Sequence, residues 1–215
     1  RRFAQLCIFT LNLLPLAAFA GQAQPAAPKP AATAKPRTTT HMTTDPALLK
    51  PATLTAKAPD VYEVKLVTTK GDVTIQVTRA WAPLGADHFY NLVKRGYYDN
   101  NAFFRALKDY IVQWGINGDP KVYARWDKVK IKDDPPKTPN KTGTVVFATP
   151  SEPNQRTTHI FINIHDNENL DSSGFVPFGE VNQVLDNIMK IYMDYGEGGP
   201  GGEGPEQEAS GKGGN

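Results

Sequence analysis

The sequence predicts a mainly β domain, built as a barrel or a sandwich, in the middle of the chain. Two observations lead to this fold class. The central part contains many short runs with strand-like alternation, and only two runs have helical spacing. Short strands separated by turns, with few helices, are typical of barrels and sandwiches. Hydrophobic residues make up 40% of the 215 residues, enough for a sizeable core.

The first 57 residues are predicted to lie outside this domain. Residues 1–20 begin with two arginines and continue as an apolar run that ends in Ala18-Phe19-Ala20. This pattern indicates a cleaved signal peptide, and hence a periplasmic or secreted protein with no membrane span left after cleavage. An uncleaved anchor helix is the alternative. Residues 21–57 are rich in Ala, Pro and Thr and lack aromatics. Such a segment buries too little apolar surface to offset its ordering entropy, so we expect a disordered linker.

The other end of the chain is rich in glycine and acidic residues. From Asp194 onward, five carboxylates face one lysine. We therefore predict a disordered tail over residues 196–215. This leaves residues 58–195 as one domain of typical size.

Within this domain the elements are predicted from their periodicity and turn residues. Proline at position 83 suits a helix start, and glycine at position 96 suits a helix stop. A glycine-containing turn joins the first two strands into a hairpin. In chain order we expect strands 61–67 and 73–77, helix 83–95, strands 102–107 and 110–114, a loop over 117–141, strands 143–149, 159–164 and 178–181, and helix 184–192.

Several classes of function are excluded or disfavoured. The net charge of +2 argues against a protein built around a nucleic-acid backbone, and the single cysteine allows no internal disulfide. The domain has no Gly-rich phosphate loop, no HExxH and no GxSxG. His159 and His165 lie on one predicted strand, about 20 Å apart at 3.3 Å per residue, so they cannot share a metal ion. We expect no cofactor and no metal, and we expect a monomer.

The most informative feature is an arginine among aromatic residues. Phe103-Phe104-Arg105 is followed by Tyr110 and Gln113 on the next predicted strand. On adjacent strands these residues place a guanidinium, an amide and several rings on one surface. Such a surface can bind an apolar ring beside a peptide carbonyl. The alternative is a structural arginine with ordinary core neighbours.

The domain resembles the cyclophilin-type peptidyl-prolyl isomerases over nearly its whole length. The family writes its central strand pair as F-[HR]-R-x4-F-x2-Q-G-G-D, and this chain has FFR, then Tyr110, then QWG at the same spacing. Further similarity lies in TTKGDVTIQV (68–77), DHFYNLVKRGYYD (87–99), GTVVFA (143–148), PN (153–154), TTHIFI (157–162), LD (170–171) and FGEV (178–181).

The resemblance implies a closed eight-stranded antiparallel barrel with two capping α-helices, acting on proline-containing polypeptides. It also implies that Arg105 is the catalytic arginine and that Gln113 bonds both Arg105 and the substrate carbonyl. His159 stands where the family has glutamine, and Phe175 stands where it has His or Tyr. The substrate-binding residues implied in this way are Phe103, Tyr110, Ala148, His159, Phe161, Leu170 and Phe175.

The sequence leaves a second function open. Trp114 and Ile116 replace the first G and the D of the G-G-D motif, and Pro150 stands where a backbone N–H would bond the substrate. Proline has no N–H. The alternative is therefore a catalytically weak peptide-binding or chaperone module with the same groove.

Overall fold

The computed structural model describes residues 44–150, 152–181, 185–191, 193–194, 196–198, 204–205 and 207–213. The predicted signal peptide and the predicted linker up to residue 43 lie outside the described residues. Within the described part of the chain, no helix is long and apolar enough to cross a membrane.

A single curled antiparallel sheet forms the centre of the molecule. Its strands follow the order β1-β2-β7-β5-β6-β4-β3. They are β1 (Val61–Thr68), β2 (Gly71–Thr78), β3 (Arg105–Ala106), β4 (Ile111–Trp114), β5 (Thr144–Phe147), β6 (Ile160–Asn163) and β7 (Pro177–Val181).

The predicted closed barrel of eight strands is not confirmed. The described residues form seven strands, and β1 and β3 are the two edges of the sheet. β3 has only two residues, and the four residues before it, 101–104, form no strand. A two-residue strand offers little extended edge to which β1 could bond. The sheet is thus an open half-barrel.

The helix α1 (Pro83–Lys94) packs against β7 and confirms the prediction for this segment. Phe89 lies against Phe178 of β7, with 5.0 Å between ring centroids. Both rings belong to the main core cluster and are fully buried. The second predicted helix, 184–192, is shorter than expected: within the described residues, α3 spans Leu185–Met189.

A helix that the sequence analysis had assigned to a loop follows β4. α2 (Pro120–Trp126) begins after Asp119, whose carboxylate accepts the Lys121 N–H at 2.9 Å. An acidic N-cap followed by proline is a helix-start signal, and it could have been recognised in the sequence. α2 carries Trp126 into a second core cluster, where it is 1% exposed.

The prediction of a disordered linker is wrong for residues 44–57, which are folded against the domain. Two 3₁₀ turns, Pro46–Leu49 and Pro51–Thr53, bring Leu48 into the Trp126 cluster. The indole of Trp126 donates to the Leu48 carbonyl at 2.8 Å, and the Asn91 side chain bonds both the N–H and the carbonyl of Ala56. The segment lacks aromatics of its own but is ordered by those of α2.

The predicted disordered tail also contains structure within the described residues. α4 (Gln207–Gly213) packs against α2. Gly211 lies so close to the Tyr123 ring that a Cβ at this position would sit 2.3 Å from a ring carbon. Glycine therefore permits this close approach of the two helices.

The segment between α2 and β5 is fixed by a buried arginine. Arg156 is 1% exposed and pairs with Asp134 at 3.0 Å. Asp134 in turn accepts the backbone N–H groups of Leu84 and Gly85 at 2.9 Å each. One carboxylate thus holds the loop, the first turn of α1 and the guanidinium together.

Candidate active site

The pairing of β3 with β4 brings the two predicted catalytic side chains together. Arg105 is the direct register partner of Gln113. The Arg105 Nη1 donates to Gln113 Oε1 at 3.3 Å. Gln113 is 5% exposed, and the guanidinium carbon lies 5.6 Å from the centre of the Tyr110 ring. The amide and the aromatic ring therefore fix where the cation can lie.

These residues open onto a cavity of about 180 Å³. Seven of the predicted site residues line it: Arg105, Tyr110, Gln113, Ala148, Phe161, Leu170 and Phe175. Ile111, Thr149 and Gln207 complete the lining. A cation and an amide stand at one side, and apolar groups form most of the rest.

The apolar part of the cavity is built from β6 and the turn that follows it. Phe161 on β6 is 2% exposed and meets Phe175 edge-on, with 5.8 Å between centroids. Leu170 lies on a 3₁₀ turn, Glu168–Ser173, that ends at Gly174 with a φ of 80°. This left-handed conformation reverses the chain, so that Phe175 returns towards Phe161.

Buried amides hold the backbone behind the cavity, and the sequence analysis missed them. Asn167 donates to the Tyr110 carbonyl at 3.0 Å and to Asn163 Oδ1 at 2.7 Å. Asn140 donates to the Phe175 carbonyl at 2.8 Å. Asn163 also donates to Asn140 Oδ1, so the network links the backbone of Tyr110 to that of Phe175, two residues that line the cavity. Asparagines in apolar surroundings are the sequence signal that could have found it.

The structure does not bring Phe103 to this cavity. The Phe104 N–H donates to the carbonyl oxygen of Gln113, although Gln113 is already the register partner of Arg105. Two consecutive residues thus face one residue of β4, and the regular alternation of side chains is interrupted before β3. Phe103 therefore packs edge-on against Trp114, 5.3 Å away, on the opposite face of β4. There it lines a neighbouring apolar cavity of about 250 Å³.

His159 is also placed outside the Arg105 cavity. Its Nε2 lies 3.0 Å from the Tyr123 hydroxyl, and its ring contacts Phe104. Burial lowers the pKa of His159 to about 4. Its contacts make it a neutral packing residue that joins β6 to α2.

Two residues of the acidic tail reach the site, which no motif had indicated. Gln207 lines the cavity, and the Glu197 carboxylate pairs with the Arg105 guanidinium. Hydrogen bonding to Arg105 lowers the pKa of Glu197 below its ordinary value, so the carboxylate is charged at neutral pH. The described residues contain no group of three His, Cys, Asp or Glu side chains that could hold a metal ion.

Comparison with known proteins identifies the family of this arrangement. Residues 63–207 match the model of the family described as cyclophilin type peptidyl-prolyl cis-trans isomerase/CLD. A peptidyl-prolyl cis-trans isomerase of Acinetobacter baylyi is 29% identical over 133 residues, covering 60% of this chain and 70% of the relative. One of Dictyostelium discoideum is 31% identical over 134 residues, covering 60% of this chain and 83% of the relative.

Solved structures agree with this assignment at the level of the fold. A cyclophilin type peptidyl-prolyl cis-trans isomerase of Cryptosporidium parvum has a TM-score of 0.54 at 22% identity, covering 61% of this chain and 83% of the other. A cyclophilin of Hirschia baltica also has a TM-score of 0.54 at 16% identity, and the match covers 71% of this chain and 72% of the other. With the family match spanning most of the domain, the chain belongs to the cyclophilin-type peptidyl-prolyl cis-trans isomerases.

Proposed function

We propose that this protein accelerates the rotation of X–Pro bonds in exported polypeptides, with Arg105 donating a hydrogen bond to the prolyl nitrogen of the twisted amide. The observation that carries the proposal is the convergence of Arg105, Gln113 and a set of apolar side chains on one cavity. A proline ring has the size and polarity for the apolar end, and the peptide carbonyl has a donor amide beside it.

The chemistry requires a cation and no covalent step. Conjugation gives the C–N bond a rotation barrier of about 18–20 kcal/mol. Rotation breaks the conjugation and leaves a lone pair on the prolyl nitrogen, so a cationic donor stabilises the twisted state more than the planar one. Arginine suits this task because its charge is permanent and its donors are fixed in a plane. The gain is selective binding of the transition state.

The hydrogen bonds of Arg105 are compatible with this role. The guanidinium has five N–H groups. One N–H on Nη1 bonds Gln113, and the Nε and Nη2 groups bond Glu197. Among the contacts of the described residues, one N–H on Nη1 and one on Nη2 have no partner and are thus left for a substrate.

Related structures support proline peptides as the substrate class. The same Cryptosporidium parvum isomerase was crystallised in the presence of the dipeptide Ala-Pro, and that structure has a TM-score of 0.53 to this chain. The apolar run before Ala18-Phe19-Ala20 supports export to the periplasm or beyond. In that compartment, slow prolyl steps of newly exported chains would be the natural target.

Peptide binding with little turnover is the alternative function. The observation that favours it is Pro150, which is exposed next to the cavity residues Ala148 and Thr149 and has no N–H to offer a bound peptide. Trp114 does not support this alternative, because its ring is packed on the other face of β4 and is 3% exposed.

Two-dimensional exchange NMR on a short Ala-Pro peptide separates the two functions. Catalytic amounts of the protein are expected to accelerate cis–trans exchange, and Arg105→Ala is expected to remove most of the acceleration. Arg95→Ala is the matched control, because Arg95 is an exposed arginine paired with Asp45 away from the cavity.

Each result of this experiment has a distinct meaning. Acceleration that survives Arg105→Ala would refute the proposed role of Arg105 but keep the isomerase. Line broadening without acceleration would refute the isomerase and establish the peptide-binding function.

A further inference from the structure

Glu197 occupies one edge of the Arg105 guanidinium. Its Oε2 accepts from Nε at 2.7 Å and its Oε1 accepts from Nη2 at 2.5 Å. This side-on, bidentate arrangement is the geometry in which arginine binds any carboxylate. The two residues are 92 positions apart, so the contact is created by the fold.

The tail segment that follows Glu197 is anchored to the domain. The Gly204 N–H donates to the Glu197 carbonyl at 3.1 Å, and Gly198 forms a bridge with Gly204. Further along, Gln207 lines the Arg105 cavity and Gly211 packs on Tyr123 of α2. On the guanidinium, the Glu197 carboxylate takes the edge formed by Nε and Nη2, whereas Gln113 bonds Nη1.

This arrangement places a negative charge beside the guanidinium that a substrate would meet. A substrate carboxylate near the prolyl bond would bind the side-on edge of Arg105 if that edge were vacant, and would draw the guanidinium away from the prolyl nitrogen. Glu197 fills the edge and repels a second carboxylate. Its oxygens have about four acceptor sites in total, of which Arg105 uses two, so it can also accept from a substrate ammonium group.

We propose that Glu197 is a specificity-determining residue that favours peptides with a cationic side chain next to the proline and disfavours those with a carboxylate there. The inference rests on the proposed isomerase function and deepens it. The composition of the tail has the same sign of charge, because from Asp194 onward the sequence carries five carboxylates and one lysine.

The contact is too weak to act as a lock that keeps all substrates out. The Glu197 side chain is 56% exposed, whereas that of Arg105 is 22% exposed. Ion pairs with so exposed a partner contribute little free energy. Glu197 is thus suited to bias the choice among peptides that still enter the cavity.

The test compares three blocked peptides that differ only in the residue before proline: Ac-Ala-Lys-Pro-Ala-NH₂ and its Ala and Glu counterparts. For each peptide, kcat/KM is measured by exchange NMR, and Kd by chemical-shift titration. The proteins are the unmodified chain, Glu197→Gln, and Glu208→Gln as control. Glu208 is also a carboxylate of the tail, but among the contacts of the described residues it pairs only with Lys212 and not with Arg105.

We expect the unmodified protein to prefer the Lys peptide to the Glu peptide. Glu197→Gln should reduce that ratio by about fivefold, the effect of an exposed charge pair of about 1 kcal/mol. The Ala peptide should change by less than about twofold on the same reasoning. Glu208→Gln should leave the ratio unchanged, and 0.5 M salt should reduce it in the unmodified protein because exposed charges are screened.

Three outcomes would overturn the proposal. An equal rise for all three peptides would make Glu197 a simple tethered inhibitor, and an equal fall would make it a support for Arg105. An unchanged ratio would mean that the contact has no part in selection. If no peptide is accelerated at all, the isomerase function fails, yet the ratio of Kd values in Glu197→Gln still decides the role of Glu197.

Discussion

Acid should destabilise this domain through two packed histidines. His88 lies between Trp126 and Phe147, with ring centroids 5.6 and 5.7 Å away, and its Nε2 is 2.8 Å from the Thr157 carbonyl oxygen. Burial lowers the pKa of His88 to about 4, and burial does the same for His159. Both imidazoles are therefore neutral in the folded protein at pH 5, whereas an unfolded histidine, with a pKa of about 6.5, is mostly protonated.

The size of the effect follows from this difference. Because the unfolded chain binds more protons, the free energy of unfolding falls as the pH drops from about 6.5 towards 4. At pH 5, one imidazole with a pKa of about 4 in the folded protein and about 6.5 in the unfolded chain lowers the free energy of unfolding by about 2 kcal/mol. Both histidines are half-buried residues, so part of their burial penalty is relieved by solvent. We therefore expect about half of this, roughly 1 kcal/mol per histidine and roughly 2 kcal/mol for the pair.

Urea denaturation followed by circular dichroism at pH 7 and pH 5 measures this loss. The double variant His88→Gln/His159→Gln should lose less than about 0.5 kcal/mol over the same interval, since its glutamines do not titrate. His165→Gln, a change at an exposed histidine, should behave like the unmodified protein. A double variant that loses as much stability as the unmodified protein would refute the reasoning and move the acid sensitivity to other groups.

Three further predictions concern packing and the site. Leu48→Ala should lower the free energy of unfolding by about 2–4 kcal/mol in urea titrations because Leu48 is 2% exposed, whereas Leu84→Ala, at a side chain 45% exposed, should lower it by less than about 1. Asp134→Asn should cost about 3 kcal/mol in the same assay, since it removes the more buried of the two carboxylates that face Arg156 and leaves only the partly exposed Asp133, 3.3 Å from Nε; a loss below about 1 would contradict this. Gln113→Leu should lower kcat, measured by exchange NMR, about tenfold, because it removes a hydrogen bond to the charged Arg105. An unchanged kcat would exclude Gln113 from catalysis.

The fold could be predicted where local pattern and tertiary structure agree. The β1–β2 hairpin alternates apolar and polar residues along its length, and α1 has a proline at its start and an apolar face. Residues 44–57 do not fold by local preference. They are ordered by Trp126 and Asn91, which come from elements far along the chain, so composition alone indicated a linker.

The candidate site could be predicted only as far as the family motifs reach. Arg105 and Gln113 lie on strands whose pairing fixes their contact. Phe103 was misplaced because the alternation of side chains is interrupted just before β3, which residue spacing does not reveal. Glu197 belongs to a glycine-rich segment with no periodicity, and its contact with Arg105 depends on how that segment folds back.

Arg105 is held by two parts of the chain that differ in burial. Gln113 is buried in the sheet, and its position is set by backbone pairing. Glu197 is exposed and stands in a segment rich in glycine. A perturbation on the sheet side should therefore change turnover for every peptide, because it moves the guanidinium itself. A perturbation on the tail side should change the ranking of peptides, because it alters the charge that a substrate meets. On this reasoning the tail can change by substitution and alter substrate preference while the catalytic pair in the sheet stays in place.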